Sequence, residues 1–458
     1  MDPAAPRRAP TRRRELSREA LSARAAYVIR SNDRGRMTTA APMLYPHMWS
    51  WDAAFIAIGL SAVSVHRAIV EIDTLLTAQW GNGMIPHIVF SPVVDSYFPG
   101  AERWESSRVA AEAPAEPETS GICQPPVHAI AVQRILEVAE QHGGEDLEAA
   151  TAFLARAWPR LLAWHRWLAS ARDPSGVGRV TIHHGWESGM DNSPRWDGPY
   201  SRVEVGDSLP AYERRDQALV ADAAQRPSDA EYDRYLWLVE EMKRVGYDDR
   251  RIGEVSSFAV EDVFFSALLA VASEVLADLG HRHGMALTEI AELRDIGQRF
   301  RAGVAASVDP TTGLARDRDL RTGEWLATET IAGFAPLLCR GRDDEHERSL
   351  MALLESDRWA GDPRLVAAVP PSTSPVSSAF RQREYWRGPQ WPVVAWLFTW
   401  AFERNGWTER AARLRHEGTA LLSHGEFGEY YDPFTAEALG SMHQSWTAAV
   451  ALDWLHRP

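Results

Sequence analysis

The sequence predicts an all-α protein in which twelve helices close into a double ring, an (α/α)6 barrel. Three observations predict it. Apolar residues recur at helical spacing along most of the chain, strand signals are sparse, and stretches such as FAVEDVFFSALLAVASEVL and WPVVAWLFTWAF are apolar nearly all round. Such stretches suit six inner helices paired with six outer ones.

Taken in order, residues 1–14, MDPAAPRRAPTRRR, read as a disordered arm of Pro and Arg. Helical periodicity then begins, with Leu16, Leu21, Ala25 and Val28 on one face. Two helices are expected between 51 and 79, and two at about 127–142 and 145–170. Seven more follow at about 257–280, 283–308, 327–339, 343–356, 390–404, 407–424 and 444–456. Residues 309–325, DPTTGLARDRDLRTGEW, resemble a polar hairpin. Two long segments with little periodicity, about 80–126 and 192–256, interrupt the pattern, the second holding a helix near 232–245. Connections that long are lids, binding loops or disorder. They are expected to cover one end of the barrel with the site beneath them, and the acidic middle of the first, AEAPAEPET, is expected to be mobile. Residues 15–458 form a single domain on this reading.

At 458 residues, 45% hydrophobic and 24% charged, the chain can bury a large core. Its net charge of -14 argues against a nucleic-acid backbone or an anionic membrane as partner, since either would repel it. Cys123 and Cys339 lie far apart and outside any CxxC pattern, so no disulfide framework or thiolate metal site is indicated, and a cytoplasmic setting is expected. The basic start runs into the polar ELSREALSARAA rather than the apolar core of a secretion signal. No apolar run is read as approaching the roughly 20 residues of a membrane helix. The 19 tryptophans offer flat surfaces of the kind sugar rings stack on, although core packing explains many of them equally well. The oligomeric state is left open, and a homo-oligomer is compatible with the sequence.

The stretch richest in candidate chemistry is His183 to Asp197, HHGWESGMDNSPRWD, which sets Glu187 and Asp191 between Trp186 and Trp196. A carboxyl beside apolar rings loses solvation, so its pKa rises and it holds a proton near neutral pH, as a general acid must. Alone, the same loop reads as a surface loop whose Trp residues cap the core and whose Asp191 makes an Asx turn with Asn192. His183-His184 is not read as a metal pair, because adjacent side chains in extended backbone diverge. In YPHMWSWDAAF, Asp52 suits a helix N-cap contributing about 1 kcal/mol, and Trp49, Trp51 and Asp52 together suit a sugar-stacking face with a hydroxyl acceptor. His87, Tyr97 and Gln124 are candidate contacts on the first long segment. The stretch REYWRGPQWP gathers Tyr385, Trp386, Arg387 and Trp391. GEYYDPFTAEALGSMHQSW supplies Glu426, Glu429, Asp432 and Glu437, a source for the second carboxylate of a glycoside mechanism. Composition does not choose among those four.

Together MWSWDAAF, WESGMDNSPRWD, YWRGPQWP, EYYDPFTAEALGS and QSWTAA resemble the (α/α)6-barrel enzymes of the glycoside hydrolase family 63 type, within it the bacterial glucosylglycerate and mannosylglycerate hydrolases. The similarity covers nearly everything beyond the arm. It implies Asp191 as general acid and Glu429 as general base, with no metal or organic cofactor. It also implies a sugar subsite of Tyr45, Trp49, Trp51, Asp52, Gln124, Tyr385, Trp386, Trp391 and Gln444, to which Trp186 beside the acid is added. His87, Tyr97, Arg226 and Tyr232 are implied contacts for glycerate, Arg226 by two parallel hydrogen bonds to its carboxylate. Ala436 departs from the family, which carries Gly there. The implied reaction is inverting hydrolysis of a small-molecule glycoside with a carboxylate aglycone, the two carboxyls lying about 6.5 to 9.5 Å apart. Glucosylglycerate, giving glucose and glycerate, is the expected substrate; mannosylglycerate or another small α-glucoside is the alternative. A helical-barrel sugar epimerase, which would use His bases, and a non-catalytic carbohydrate-binding protein are more distant readings.

Overall fold

Local sequence sets the helices of the frame, and the computed structural model describes residues 15–92, 97–220 and 222–457. The arm 1–14 lies outside the described residues. In chain order the principal helices are α1 (Arg18–Asn32), α2 (Ser50–Ser61), α3 (Val65–Thr77), α4 (His128–His142), α5 (Gly144–Ala171), α6 (Asp229–Arg244) and α7 (Val263–Arg282). They continue with α8 (Leu287–Ala306), α9 (Pro336–Cys339), α10 (Asp344–Leu354), α11 (Pro392–Arg404), α12 (Thr408–Leu421) and α13 (Ser445–His456). Helices α2, α4, α7, α9, α11 and α13 pack each on the next, and α13 returns to α2. That closed circuit is the inner ring. Around it α3, α5, α8, α10, α12 and α1 pack on α2, α4, α7, α9, α11 and α13 respectively, completing an (α/α)6 barrel.

The apolar pattern explains which helix goes where. Every residue of α2 is buried, as are Pro392 to Phe402 of α11 and Ser445 to Leu455 of α13. A helix apolar on all sides has nowhere to go but the centre. Where α2 and α13 close the ring, a Cβ on Gly59 would lie 2.4 Å from the Ala449 Cα, so only glycine permits that approach. Outer helices bury one stripe. In α3 it is Val65, Ala68, Ile69, Ile72, Leu75 and Leu76, and the Ser64 hydroxyl caps the helix by accepting from Arg67 N–H at 3.2 Å. In α1 the face is Leu21, Ala25, Val28 and Ile29; Leu16 precedes the helix and is exposed. Helix α7 is long and apolar enough to cross a membrane by length and composition, contrary to the sequence reading, but it is buried as an inner helix of the barrel.

Three further expectations are corrected. The helix expected at 327–339 is a 3-10 turn, Ile331–Phe334, followed by the single turn α9. Pro336 lacks the N–H that a continuous helix needs, and Thr330 is held extended against Thr373. Residues 309–325 form two successive turns, closed by bridges Val308 to Ala315 and Arg318 to Trp325, rather than one hairpin. The acidic segment expected to be mobile is tied down, since Gly81 N–H donates to Glu112 O at 2.7 Å and Phe90 N–H to Glu118 O at 3.0 Å.

Short antiparallel strands gather beside the entrances of inner helices. β1 (Met48–Trp49) pairs with β2 (Ile88–Val89) and leads into α2. β3 (Val180–Ile182), β4 (Val260–Asp262) and β5 (Arg318–Asp319) form a sheet in that order, with β4 leading into α7. β6 (Gly428–Tyr431) and β7 (Ala438–Met442) lead into α13. Ala436, in the turn between β6 and β7, has φ +56, a left-handed conformation that suits glycine. Ala436→Gly is expected to raise the denaturation midpoint by about 1 to 2 °C and leave kcat unchanged, because a strain of about 1 kcal/mol is relieved away from the acids. Calorimetry beside a rate assay checks it; a lower midpoint would show that the turn carries no such strain.

Candidate active site

The site lies where the α2 and α13 entrances meet the Asp191 loop and β6, around a cavity walled by aromatic and acidic side chains. Asp191, Glu429, Tyr45, Trp49, Trp51, Asp52, His87, Tyr97, Gln124, Trp186, Arg226, Tyr232, Tyr385 and Gln444 all line it.

The Asp191 loop is shaped by its neighbours. The His184 Nδ1 accepts from Trp186 N–H at 3.0 Å, and its Nε2 meets Tyr235 O at 3.0 Å, so both ring nitrogens are engaged. His183 turns instead toward a separate groove with Trp167 and Asp249. Gly189 has φ +70, and a Cβ there would sit 2.6 Å from the Trp51 ring. Glu187 is fully buried and structural. It accepts from Arg172 at 3.1 and 2.7 Å, from His183 N–H at 2.7 Å and from Cys123 N–H at 3.4 Å. That carboxylate therefore ties the loop of Asp191 to the stretch of chain carrying Gln124.

The acids differ in environment. Burial pushes the Asp191 carboxyl up to about 7, against the pull of Arg226 and reinforced by the charge of Glu429. Glu429, 1% exposed, is also raised by burial, but Arg226, Ser441 N–H and the Tyr45 and Tyr385 hydroxyls oppose the rise. Tyr45 O–H donates to its Oε1 at 3.0 Å and Ser441 N–H to its Oε2 at 3.0 Å. Gly440, φ +70, is required beside it, since a Cβ would lie 2.5 Å from Glu429 Oε2. Asp52 is held well above the carboxylate range by burial and by the charges of Glu429 and Asp191. It sits inside the first turn of α2, whose capping position is Trp49 with no side-chain bond, so the N-cap reading of Asp52 is corrected.

Around these acids the other predicted residues are fixed by specific contacts. Gln124 Oε1 accepts from Trp51 N–H at 3.3 Å, and Gln444 Oε1 accepts from Ser441 O–H at 2.6 Å. The His87 ring stacks toward Trp186 with centroids 6.3 Å apart. Tyr232 O–H donates to Phe98 O at 3.3 Å. Arg226 is already engaged, Nε donating to Asp216 at 3.1 Å and Nη1 to the Tyr45 hydroxyl at 3.0 Å. One N–H on Nη1 and both on Nη2 remain beyond these two bonds.

Trp386 and Trp391 are not on the cavity wall. They stack on each other at 3.5 Å and 3°, Trp391 stacks on Tyr430 at 4.8 Å, and both are buried behind Tyr385 and Trp51. The chain beside them braces the acid loop: the Trp386 backbone N–H donates to Asn192 Oδ1 at 2.9 Å, and Arg387 clamps Asp197 at 2.7 and 2.6 Å. Residues missed from sequence include Asp216, Tyr235 and Trp446. Trp446 sits inside the QSWTAA stretch; nothing in the RRDQAL stretch marks Asp216.

A helical double ring that sets two carboxylates, Asp191 and Glu429, in one aromatic-walled cavity fits a glycoside hydrolase. More narrowly, the chain belongs to the mannosylglycerate hydrolase MGH1-like glycoside hydrolase family, whose model matches residues 45–447. It is 60% identical over 435 residues to a glucosylglycerate hydrolase of Mycolicibacterium hassiacum, covering 95% of this chain and 97% of that one. The crystal structure of the family 63 mannosylglycerate hydrolase of Thermus thermophilus with Tris and D-glycerate matches with a TM-score of 0.85 at 41% identity, covering 95% of this chain and 99% of the other. The same enzyme with glucose matches with a TM-score of 0.82 at 41% identity and the same coverage. Membership in this family sets aside the epimerase and the non-catalytic binding readings.

Proposed function

We propose that the chain hydrolyses a glycosyl glycerate, with glucosylglycerate the preferred substrate, and that it does so with inversion at the anomeric carbon. The observation that carries this reading is the pairing, in one cavity, of Asp191, able to hold a proton near neutrality, with Glu429, wrapped in hydrogen-bond donors. Asp191 gives its proton to the glycosidic oxygen as glycerate leaves. Glu429 takes a proton from the water that attacks the opposite face of the anomeric carbon. Proton exchange with solvent resets both. Tyr45, Trp49, Trp51, Asp52, Gln124, Tyr385 and Gln444 hold the sugar, while His87, Tyr97, Arg226 and Tyr232 face the glycerate.

The segments 80–126 and 192–256 serve as lids over this end. Both contribute lining residues, which supports the role. The similarity to a glucosylglycerate hydrolase at 60% identity supports glucose over mannose. A glycerate-binding half is supported by the D-glycerate complex of the T. thermophilus enzyme. The buried, free thiols of Cys123 and Cys339 are compatible with action in the cytoplasm. Steady-state assays with glucosylglycerate, mannosylglycerate and a neutral α-glucoside test the reading. The highest kcat/KM is expected for glucosylglycerate, with the neutral glucoside lower by about tenfold or more; preference for the neutral glucoside would refute it.

The pH profile follows from the two acids. Asp191 must be protonated, so kcat/KM falls as pH rises through about 7. Glu429 must be ionised, and its raised pKa places the acid limb above the ordinary Glu value of about 4.3. Because the carboxyls interact, the limbs belong to the pair. Rates measured at constant ionic strength check this, and an alkaline limb beyond about pH 9 would remove Asp191 as the acid.

A further inference from the structure

Arg226 is held by a charge cluster that the sequence did not reveal. Its Nε donates to Asp216 Oδ2 at 3.1 Å, its Nη1 to the Tyr45 hydroxyl at 3.0 Å, and its guanidinium lies 4.7 Å from the Tyr385 ring centre. Asp216 also receives a fork from Arg214, Nε to Oδ1 at 3.0 Å and Nη2 to Oδ2 at 2.8 Å. Arg214 in turn lies 4.4 Å from the Tyr232 ring centre. The side chains of Arg214, Asp216 and Arg226 are only 7%, 8% and 9% exposed, so solvent screens little of this arrangement. The two guanidiniums hold the Asp216 carboxyl below its ordinary range despite burial.

Two consequences follow from the geometry. With Nε–H and one Nη1–H occupied, the other Nη1–H and both Nη2–H groups are the donors of Arg226 left for a ligand among the described residues. Arg226 also sits within electrostatic reach of Glu429 and Asp191, so a guanidinium freed from Asp216 has two acids to turn toward. Asp216 draws it the other way. Arg214 also donates to the exposed Asp229 at 2.9 Å, so of the two guanidiniums Arg226 is the one that reaches the cavity, on whose wall Asp52, Asp191 and Glu429 also lie.

We propose that Asp216 is a specificity-determining positioning residue: backed by Arg214, it holds Arg226 off direct contact with the catalytic acids and leaves the remaining N–H groups of its guanidinium to an anionic aglycone. This rests on the glycosyl glycerate reading. Asp216→Asn keeps the shape and removes the charge, so it is the variant of choice, with Asp216→Ala beside it. Each is assayed on glucosylglycerate and on glucosylglycerol, which differ by a carboxylate against a hydroxymethyl group. Asp216→Asn is expected to lower kcat/KM for glucosylglycerate by about tenfold or more, chiefly through KM, and to leave glucosylglycerol within about threefold. In an Arg226→Ala background the same change is expected to cost less than about threefold, because its target is gone. Equal losses on both glycosides would reduce Asp216 to a structural role, and a gain on glucosylglycerate would make it a competing anion; either overturns the proposal. Failure of the substrate reading shows instead in the unmodified enzyme, as equal turnover of the two glycosides, and takes the proposal with it.

Discussion

Asp191→Asn and Glu429→Gln are each expected to lower kcat by about 10³-fold or more without unfolding the protein, since each removes a proton transfer that the transition state requires. An amide in place of the Asp191 carboxyl cannot protonate the leaving oxygen, and one in place of the Glu429 carboxylate cannot accept a proton from water. Stability should move the opposite way from activity. Burial raises the folded pKa of Asp191 above its unfolded value, so the stability it contributes is present at low pH and is lost as pH rises toward about 7. Asparagine does not ionise. The Asp191→Asn variant should therefore gain stability over the parent between about pH 4 and 7 and keep a constant advantage of a few kcal/mol above that range. Rates and denaturant midpoints across pH check both halves. Near-normal turnover by either variant would remove that residue from the mechanism.

The second large effect is expected at Glu187. Glu187→Ala leaves Arg172, 1% exposed, with only the Asp249 carboxylate at 3.9 Å to offset its buried charge, and removal of one partner of such a pair costs about 3 kcal/mol. Activity should fall as well, because Glu187 joins His183 N–H on the acid loop to Cys123 N–H beside Gln124. A double variant in which Arg172 and Glu187 become Met and Leu separates the two effects. It is expected to recover much of the stability and little of the activity, since apolar packing replaces an ion pair but not its hydrogen bonds to the two loops. Equal recovery of both would show that the pair does not position the acid.

Helix burial accounts for what could be read from the chain. Helices apolar on all sides, such as α2 and α11, announce an inner ring, and only a closed circuit gives six of them a common interior. The fourth inner position was misjudged because α9 is a single turn, and its burial comes from tertiary neighbours rather than from periodicity. Near the cavity, spacing located the acids but not their surroundings. GEYYDPFTAE offered several carboxylates, and only folding sorts them: Asp432 accepts from Phe434 and Thr435 N–H in the turn, Glu437 pairs with Arg383, and Glu429 alone of the four lines the cavity among the described residues. Likewise an aromatic motif does not state which side of the wall each ring occupies, and the Trp386 and Trp391 rings stack on each other behind Tyr385 and Trp51. Asp216 left no mark in sequence because its meaning lies in Arg214 and Arg226, which fold onto it from either side.

The most direct test follows the sugar released from glucosylglycerate by proton NMR within the first turnovers, before mutarotation mixes the anomers. A water activated by Glu429 on the face opposite the bond that Asp191 cleaves delivers β-glucose first from the α-linked substrate. α-Glucose appearing first would mean a covalent intermediate on one carboxylate, and would contradict the assignment of Glu429 as a base acting through water.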